Sequence, residues 1–317
     1  MSAADERTIT TVSSVFGAVC TYRRPHDLGI MLDAIKAQTR QPDRLVIVDN
    51  AADPEIGVLV AAHPISRTIP VEVLEGVGNP GPAGAFALAF ERFEPLAHDD
   101  DLFVLFDDDD PPRSNTVLAD LTSVVAESFV DPSVAGVGLR GGMLDLRTGF
   151  VEPRPRVRGS QTETSDHLHG GWFPCYRFSA LKAVDDFDPS FFWGFEELEL
   201  GRRLLAHGFE LRVASDLYFT TTSESISSRR RHIFSDLQEP SWRHFYRHRN
   251  LIRVLRRDRA WSGLAVMVIG RMFLKPLFFA PRNPRRTIWH LRTNTRAIID
   301  GLRREPLAAK HPHHLPI

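Results

Sequence analysis

Phe103-Val104-Leu105-Phe106-Asp107-Asp108-Asp109-Asp110-Pro111-Pro112 is the stretch on which the reading of this chain turns. Four apolar residues run directly into four carboxylates, the pattern of a buried strand that surfaces at its C-terminal end with a cluster of negative charge. Pro111 and Pro112 keep the chain from continuing as a helix. Alternation along an extended chain predicts that Asp107 and Asp109 point the same way. Hard divalent cations take oxygen ligands, and Mg²⁺ on a diphosphate commonly keeps few protein carboxylates. The cluster therefore reads first as the metal anchor of a nucleotide diphosphate, with a solvated acidic turn as the alternative.

Outward from this stretch the pattern alternates. Thr11 to Tyr22 is a β-rich run. Pro25 suits a first helical turn, with Leu28, Met31, Leu32 and Ile35 recurring at helical spacing behind it. Leu45 to Val48 is a second buried strand ending in Asp49-Asn50, Val58 to Ala62 a short helix, and Val71 to Leu74 a third strand. Strand and helix in alternation argue for an α/β domain with a largely parallel sheet, whose ligands bind beyond the carboxyl ends of the strands. Tyr22, Asp49 and Asp107 fall at such ends.

Gly76-Val77-Gly78-Asn79-Pro80-Gly81 spells G-x-G-x-x-G between a strand and a helical run, which suggests a dinucleotide-binding turn. Pro80 and Pro82 count against it, because they remove backbone donors from a loop that would have to cradle pyrophosphate. The loop also follows the third strand, and the acidic residue expected after the next strand is here a run of four aspartates.

At 317 residues and 43% hydrophobic, the chain can bury a full core. Two cysteines, Cys20 and Cys175, make no disulfide framework, and Met1 to Arg7 lacks a basic region followed by an apolar run. These features predict no secretory signal and a reducing, cytoplasmic setting. The net charge of −1 hides an asymmetry: Arg229 to Ile317 carries 20 Lys+Arg against 5 Asp+Glu, leaving 19 and 35 for the residues before it. A basic tail attracts nucleic acid or an anionic membrane surface.

Several spaced motifs carry a family resemblance. Val19-Cys20-Thr21-Tyr22-Arg23-Arg24-Pro25, Ala37 to Asp43 and Val46-Ile47-Val48-Asp49-Asn50 look like the opening of glycosyltransferase family 2. Asn79-Pro80-Gly81-Pro82-Ala83-Gly84-Ala85-Phe86 resembles that family's N-x-G-x-A-G-G-F loop, and Phe191 to Leu204 its F-F-x-x-x-E/D-D/E-x-D/E-x-x-x-R-L motif. The order of elements over residues 12 to 257 is most similar to bacterial galactofuranosyl- and rhamnosyltransferases.

The resemblance implies a GT-A fold: a Rossmann-like, mostly parallel central sheet flanked by helices, here with a basic α-helical C-terminal region. It implies donor contacts from Thr21, Tyr22, Arg23, Asp49, Asn79, Gly84, Asp107 and Asp108, and a metal, Mg²⁺ or Mn²⁺, on Asp107 and Asp109. It implies an inverting transfer from a UDP- or dTDP-sugar to a lipid-linked or polysaccharide acceptor, with Glu197 as the base that takes the acceptor proton and Glu196 as the alternative. Glu199 reads as an ordinary helical ion pair with Arg203. Trp172 and Trp193 are candidates to stack on an acceptor, although a buried structural role for Trp172 fits its sequence equally well. His167 and His169 could face a ligand together, but no further metal ligands stand near them. Many members carry a histidine after the following strands; the run Ser215 to Thr222 has none, so His232 substitutes, or carboxylates and water suffice, or the metal binds weakly. A non-catalytic nucleotide-sugar or glycan-binding protein with a transferase-like fold is the second reading.

The expected division is a catalytic domain over residues 1–225 and a basic helical region over 226–317. Ser223 to Arg231 is polar. Trp242 to Arg253 resembles a Y-x-x-R-N helix common in these transferases. Trp261 to Ala280 is apolar but interrupted by Arg271, Lys275 and Pro276, which predicts a helix lying in a membrane interface rather than a span. Its apolar content favours an anionic membrane surface over nucleic acid as the tail's partner, on the inner face of the plasma membrane. The residues leave the oligomeric state open.

Overall fold

The computed structural model describes residues 13–153, 157–221 and 237–303. Its strands are β1 (Val15–Thr21), β2 (Arg44–Asp49), β3 (Val71–Glu75), β4 (Leu102–Asp107), β5 (Val134–Gly138), β6 (Gly141–Asp145), β7 (Phe150–Pro153), β8 (Thr162–Ser165), β9 (His167–Leu168), β10 (Cys175–Arg177) and β11 (Glu210–Ala214). The main sheet runs β3-β2-β1-β4-β10-β5-β11-β8, and a small one runs β7-β6-β9. The first four strands pair in parallel, and β10 enters antiparallel between β4 and β5. Thr21 is in register with Asp49, and Cys20 with Asp107, so the strand ends singled out in the sequence form one edge.

Helices cover both faces, which is why β1, β2 and β4 are apolar throughout rather than alternating. On one side lie α1 (Pro25–Lys36), α2 (Pro54–Ala62) and α4 (Val117–Ser128), contributing Leu28, Ile56, Leu121 and Val125. On the other lie α3 (Gly81–Phe93), α5 (Phe178–Ala183) and α6 (Glu196–Ala206), contributing Phe86, Phe90, Phe178 and Leu204. The expected helix from Pro25 forms with its four apolar residues buried. The short helix foreseen near Val58 begins earlier, at Pro54, because Asp53 caps it by accepting from the Glu55 N–H at 3.0 Å. The run after β11, which carries no histidine, is helical, α7 (Ser215–Thr221).

The tail consists of α8 (Trp242–Arg257), α9 (Trp261–Ala265), a π-helical stretch over Val266–Leu274, α10 (Lys275–Phe279) and α11 (Pro284–Gly301). The expected apolar helix forms, and Trp261–Phe279 is one helical run of 19 residues with mean hydropathy 1.5 that Arg271, Lys275 and Pro276 do not break. Pro276 has no N–H for the Met272 carbonyl one turn back, and Asn294 Nδ2 donates to that carbonyl instead, at 2.7 Å. By length and composition alone the run could cross a membrane, and 33% of it is buried within the protein.

The tail is not set apart from the sheet domain. Phe191, Phe192 and Leu198 share one apolar cluster with Phe245, Tyr246 and Ile252 of α8 and with Met267, Met272 and Ala297. Arg249, 2% exposed, donates Nη2 to the carbonyls of Ser190 and Phe191 at 2.7 and 2.9 Å. Asn250 Nδ2 donates to those of Phe191, Trp193 and Gly194 at 2.9, 3.1 and 2.6 Å. The Arg-Asn pair of the Y-x-x-R-N helix therefore fixes the loop that leads into Glu196 and Glu197. The boundary expected at 225/226 and the polar segment Ser223 to Arg231 lie outside the described residues.

Candidate active site

The carboxylates gather through a turn, not through the pleat. β4 ends at Asp107, and the Asp110 N–H reaches back to the Asp107 carbonyl at 3.3 Å. This turn brings ligand atoms of Asp107, Asp108 and Asp109 within 4.8 Å of one another, so strand alternation is not what pairs Asp107 with Asp109. Asp108 is 4% exposed. It accepts from Thr21 Oγ1 at 2.8 Å and from Arg24 Nη1 at 3.1 Å. Both its oxygens are engaged, so Asp108 tethers the turn to the end of β1 and presents no free edge to a donor. Arg24 also pairs with Asp109.

Asp107 is exposed at the cleft, and its carboxylate has no hydrogen-bond or ion-pair partner among the described residues. Its carboxyl is pushed up to about 7, first by the protein that displaces water behind it and then by the charges of Asp109, Asp108, Glu197 and Asp110. A group of hard oxygen donors whose charges repel one another, with one member lacking any protein partner, fits Mg²⁺ or Mn²⁺ chemistry. No histidine joins this group among the described residues, and His232 lies outside them.

Glu196 and Glu197 open α6 and separate in role. Glu196 is 8% exposed, and its Oε2 has no partner. Burial, then the neighbouring Glu197 charge, raises its carboxyl well above the usual range, which keeps it protonated. Glu197 is partly exposed and accepts from the Gly170 N–H at 3.2 Å. Gly170 and Gly171 separate it from the aspartates: a Cβ at Gly170 would stand 2.9 Å from Glu197 Oε1, and one at Gly171 would stand 3.4 Å from Asp107 Oδ2. Any side chain on this turn would push into the space between the metal-type carboxylates and Glu197. Glu199 is 1% exposed and is gripped by Arg203 at 2.7 and 2.8 Å and by Arg257, the structural role its spacing suggests.

The expected donor residues divide. Thr21, Tyr22 and Arg23 lie at the end of β1, with the Arg23 guanidinium 5.3 Å from the Tyr22 ring centre. Asp49 is 3% exposed, and its carboxylate accepts from the N–H groups of Ala51 and Asp53 at 2.9 and 2.5 Å. These bonds shape the loop after β2 beside the end of β1. Asn79, at φ +56°, turns the loop by accepting from the Gly81 N–H at 3.1 Å. Gly81 and Gly84 are packing glycines: a Cβ would strike the Phe192 carbonyl at the first and Pro80 at the second. Gly84 is therefore covered rather than open to a donor, and the G-x-G-x-x-G spelling serves the approach of α3 to the 189–192 turn.

The aromatic candidates also divide. Trp172 is 9% exposed, with the Arg140 guanidinium 3.7 Å from its ring centre and the Tyr218 ring 5.8 Å away. Its ring is packed among these groups, in keeping with the structural reading of its sequence. Trp193 is partly exposed, edge-to-face with Trp242 at 5.4 Å and with the Arg243 guanidinium 5.0 Å from its ring centre. His167 is buried and pushed down to about 3 by loss of water and by His169, so it stays neutral inside the protein, while His169 is exposed. Arg24 and Arg140 were missed as site residues: each is brought beside the aspartates by tertiary approach, with no local signal beyond its charge.

A parallel sheet whose carboxyl edge carries an aspartate turn facing a glutamate at the start of a helix defines a GT-A fold. The chain belongs to the glycosyltransferase-like family 2, whose sequence model matches residues 15–242. Galactofuranosyltransferase GlfT1 of Mycobacterium tuberculosis is 35% identical over 215 residues, covering 64% of this chain and 68% of the relative. Mannosyltransferase PcManGT from Pyrobaculum calidifontis, solved with GDP-mannose and Mn²⁺, superposes with a TM-score of 0.54 at 16% identity over 94% of this chain and 77% of that one. TarS 1–349 of S. aureus, solved with UDP-GlcNAc, does so at 0.52 and 15% over 90% and 81%.

Proposed function

We propose that this protein is an inverting, metal-dependent transferase that moves galactofuranose, or failing that rhamnose, from a UDP- or dTDP-sugar to a lipid-linked or polymeric cell-envelope glycan. The observation that carries this reading is Glu197 facing Asp107 across the Gly170–Gly171 turn. In it, an acceptor hydroxyl oxygen bonds to the anomeric carbon as the bond to the diphosphate breaks, Glu197 takes the hydroxyl proton, and the nucleoside diphosphate departs from the opposite face. Asp107 and Asp109 would hold the cation, which when bound offsets charge developing on the diphosphate. Asp109 is tied to Arg24, so that pair would open or share as the cation enters. Thr21, Tyr22, Arg23 and Asn79 remain the donor-side residues, and Trp193 the acceptor-side one.

GlfT1 supports galactofuranose as the sugar, and the nucleotide-sugar complexes of the two solved transferases support the donor class. The test is turnover with UDP-galactofuranose and dTDP-rhamnose, with and without Mn²⁺, and the anomeric configuration of the product by NMR. Retained configuration, or equal turnover in chelator, would refute the mechanism. Calorimetry of both donors on an Asp107→Ala/Asp109→Ala variant tests the anchor, since donor binding that survives there would leave the aspartates without that role.

The second part of the reading is attachment to the cytoplasmic face of a membrane through the Trp261–Phe279 helix. Trp261, Ile269, Leu274, Leu277 and Phe278 are each more than half exposed, and an apolar helix with Arg271 and Lys275 suits an anionic interface. Because this helix also buries Met267 and Met272 against the rest of the protein, truncation would unfold more than it tests. The full chain carrying Ile269→Glu/Leu277→Glu should lose vesicle binding, and unchanged binding would refute attachment by this helix.

A further inference from the structure

Where α8 ends and the apolar helix begins, Asp188, Phe191, Arg253, Arg256, Arg257 and Trp261 line an open pocket of about 470 Å³. Guanidinium forks and an indole together favour a phosphate-type anion beside an apolar group. Most of the local charge is already balanced. Asp188 pairs with Arg253 at 3.2 Å. Glu199 pairs with Arg203 and Arg257, and Asp258 pairs with Arg202 at 2.6 Å. Arg256 stands apart: it meets no carboxylate among the described residues, and its Nη1 donates to the neutral Leu302 carbonyl at 3.1 Å. With five N–H donors on a guanidinium, most of its capacity remains for an external anion.

The surroundings select the kind of anion. Trp261 on the pocket wall is 59% exposed, and Leu302, which Arg256 touches, is 46% exposed. Trp261 is also the first residue of the apolar helix, whose Leu274, Leu277 and Phe278 are 58%, 51% and 61% exposed. A free phosphate gains nothing from exposed apolar surface, whereas a phosphate attached to a hydrocarbon chain gains on both counts. We propose that this pocket binds the anionic phosphate of a membrane lipid, with Arg256 as its principal cation and Trp261 against its apolar flank. The proposal rests on the attachment of the Trp261–Phe279 helix to a membrane and adds to it a specific headgroup site.

Arg253 and Arg257 hold the 188–190 turn and Glu199, so the informative substitution is Arg256→Gln. The full chain, with unchanged thermal midpoint as the check on folding, is co-sedimented with vesicles of phosphatidylcholine alone and of phosphatidylcholine with phosphatidylglycerol, and titrated calorimetrically with inorganic phosphate. Arg256→Gln should bind the phosphatidylglycerol vesicles about fivefold more weakly, the loss of one cation near an anionic surface. Its binding to neutral vesicles should not change, and Trp261→Ala should weaken both. Equal binding of Arg256→Gln and the parent protein to phosphatidylglycerol vesicles overturns the site. Tight binding of inorganic phosphate, lost in Arg256→Gln with vesicle binding intact, overturns the lipid source. If the parent protein binds neither vesicle, the membrane reading itself fails, and the proposal with it.

Discussion

The two glutamates that open α6 make opposite predictions from adjacent positions. Glu197→Gln keeps a carbonyl oxygen to accept the Gly170 N–H, so the turn that separates it from Asp107 stays in place. It removes the one partly exposed carboxylate that faces the aspartates. Loss of a general base costs about 10²–10⁴ in rate, which is about 2.7–5.4 kcal/mol of barrier at 1.36 kcal/mol per decade. Glu196→Gln replaces a buried carboxyl already held neutral, with an unpartnered Oε2, by a neutral group of the same shape. It should keep kcat within about threefold, a change worth less than about 1 kcal/mol. The assay is initial rate of sugar transfer at saturating donor and acceptor, with donor affinity measured separately. Donor affinity should hold in both variants. A Glu196→Gln protein that loses activity while Glu197→Gln keeps it would refute the assignment and the physical argument behind it.

Other outcomes follow from the tail. Half-buried His244 and His248 both meet Asn294 Oδ1, and buried His290 meets His244, with rings 4.1 and 4.5 Å apart. Burial holds all three below their usual 6.5, His244 at about 4. The unfolded chain then binds more protons than the folded one, so stability is fully present above pH 6.5 and falls as pH drops towards 4. Thermal midpoints between pH 7 and pH 5 should show this slope, and His248→Gln should flatten it. Asn294→Ala leaves the Met272 carbonyl unpaired beside Pro276 and should cost about 1–3 kcal/mol in urea unfolding; an unchanged midpoint would mean the helix does not depend on that bond. Asn250→Ala removes its bonds to the Trp193 and Gly194 carbonyls and leaves that of Phe191 to Arg249 alone, and should lower kcat more than it lowers donor affinity, since it loosens the loop that positions Glu197.

Much of the fold was legible because buried parallel strands announce themselves. Val15 to Thr21, Leu45 to Asp49 and Phe103 to Asp107 are apolar on both faces and end in polar residues, and helical spacing behind Pro25 needs no partner to be seen. The prolines were read locally, and Pro25 starts its helix as expected. The sequence does not show that Asn294 supplies the bond that Pro276 cannot make. The aspartate run was read rightly as a cluster, but its geometry comes from a turn closed between Asp107 and Asp110. Asp49, Gly84 and Trp172 carry family-like positions, and the folded chain uses their polar atoms, Cα face and ring for its own packing.

Residue chemistry and spacing alone therefore determined the α/β alternation and the acidic strand end, and the spaced motifs carried the resemblance to the family and its glutamate pair, because these are properties of neighbours along the chain. Only the tertiary structure decided which glutamate is exposed to the cleft, that two glycines separate it from the aspartates, and that a tail helix holds its loop. Those properties depend on burial and on partners far away in sequence. Glu196 and Glu197 differ by one position along the chain, and what separates them is that one packs inside and the other faces the cleft.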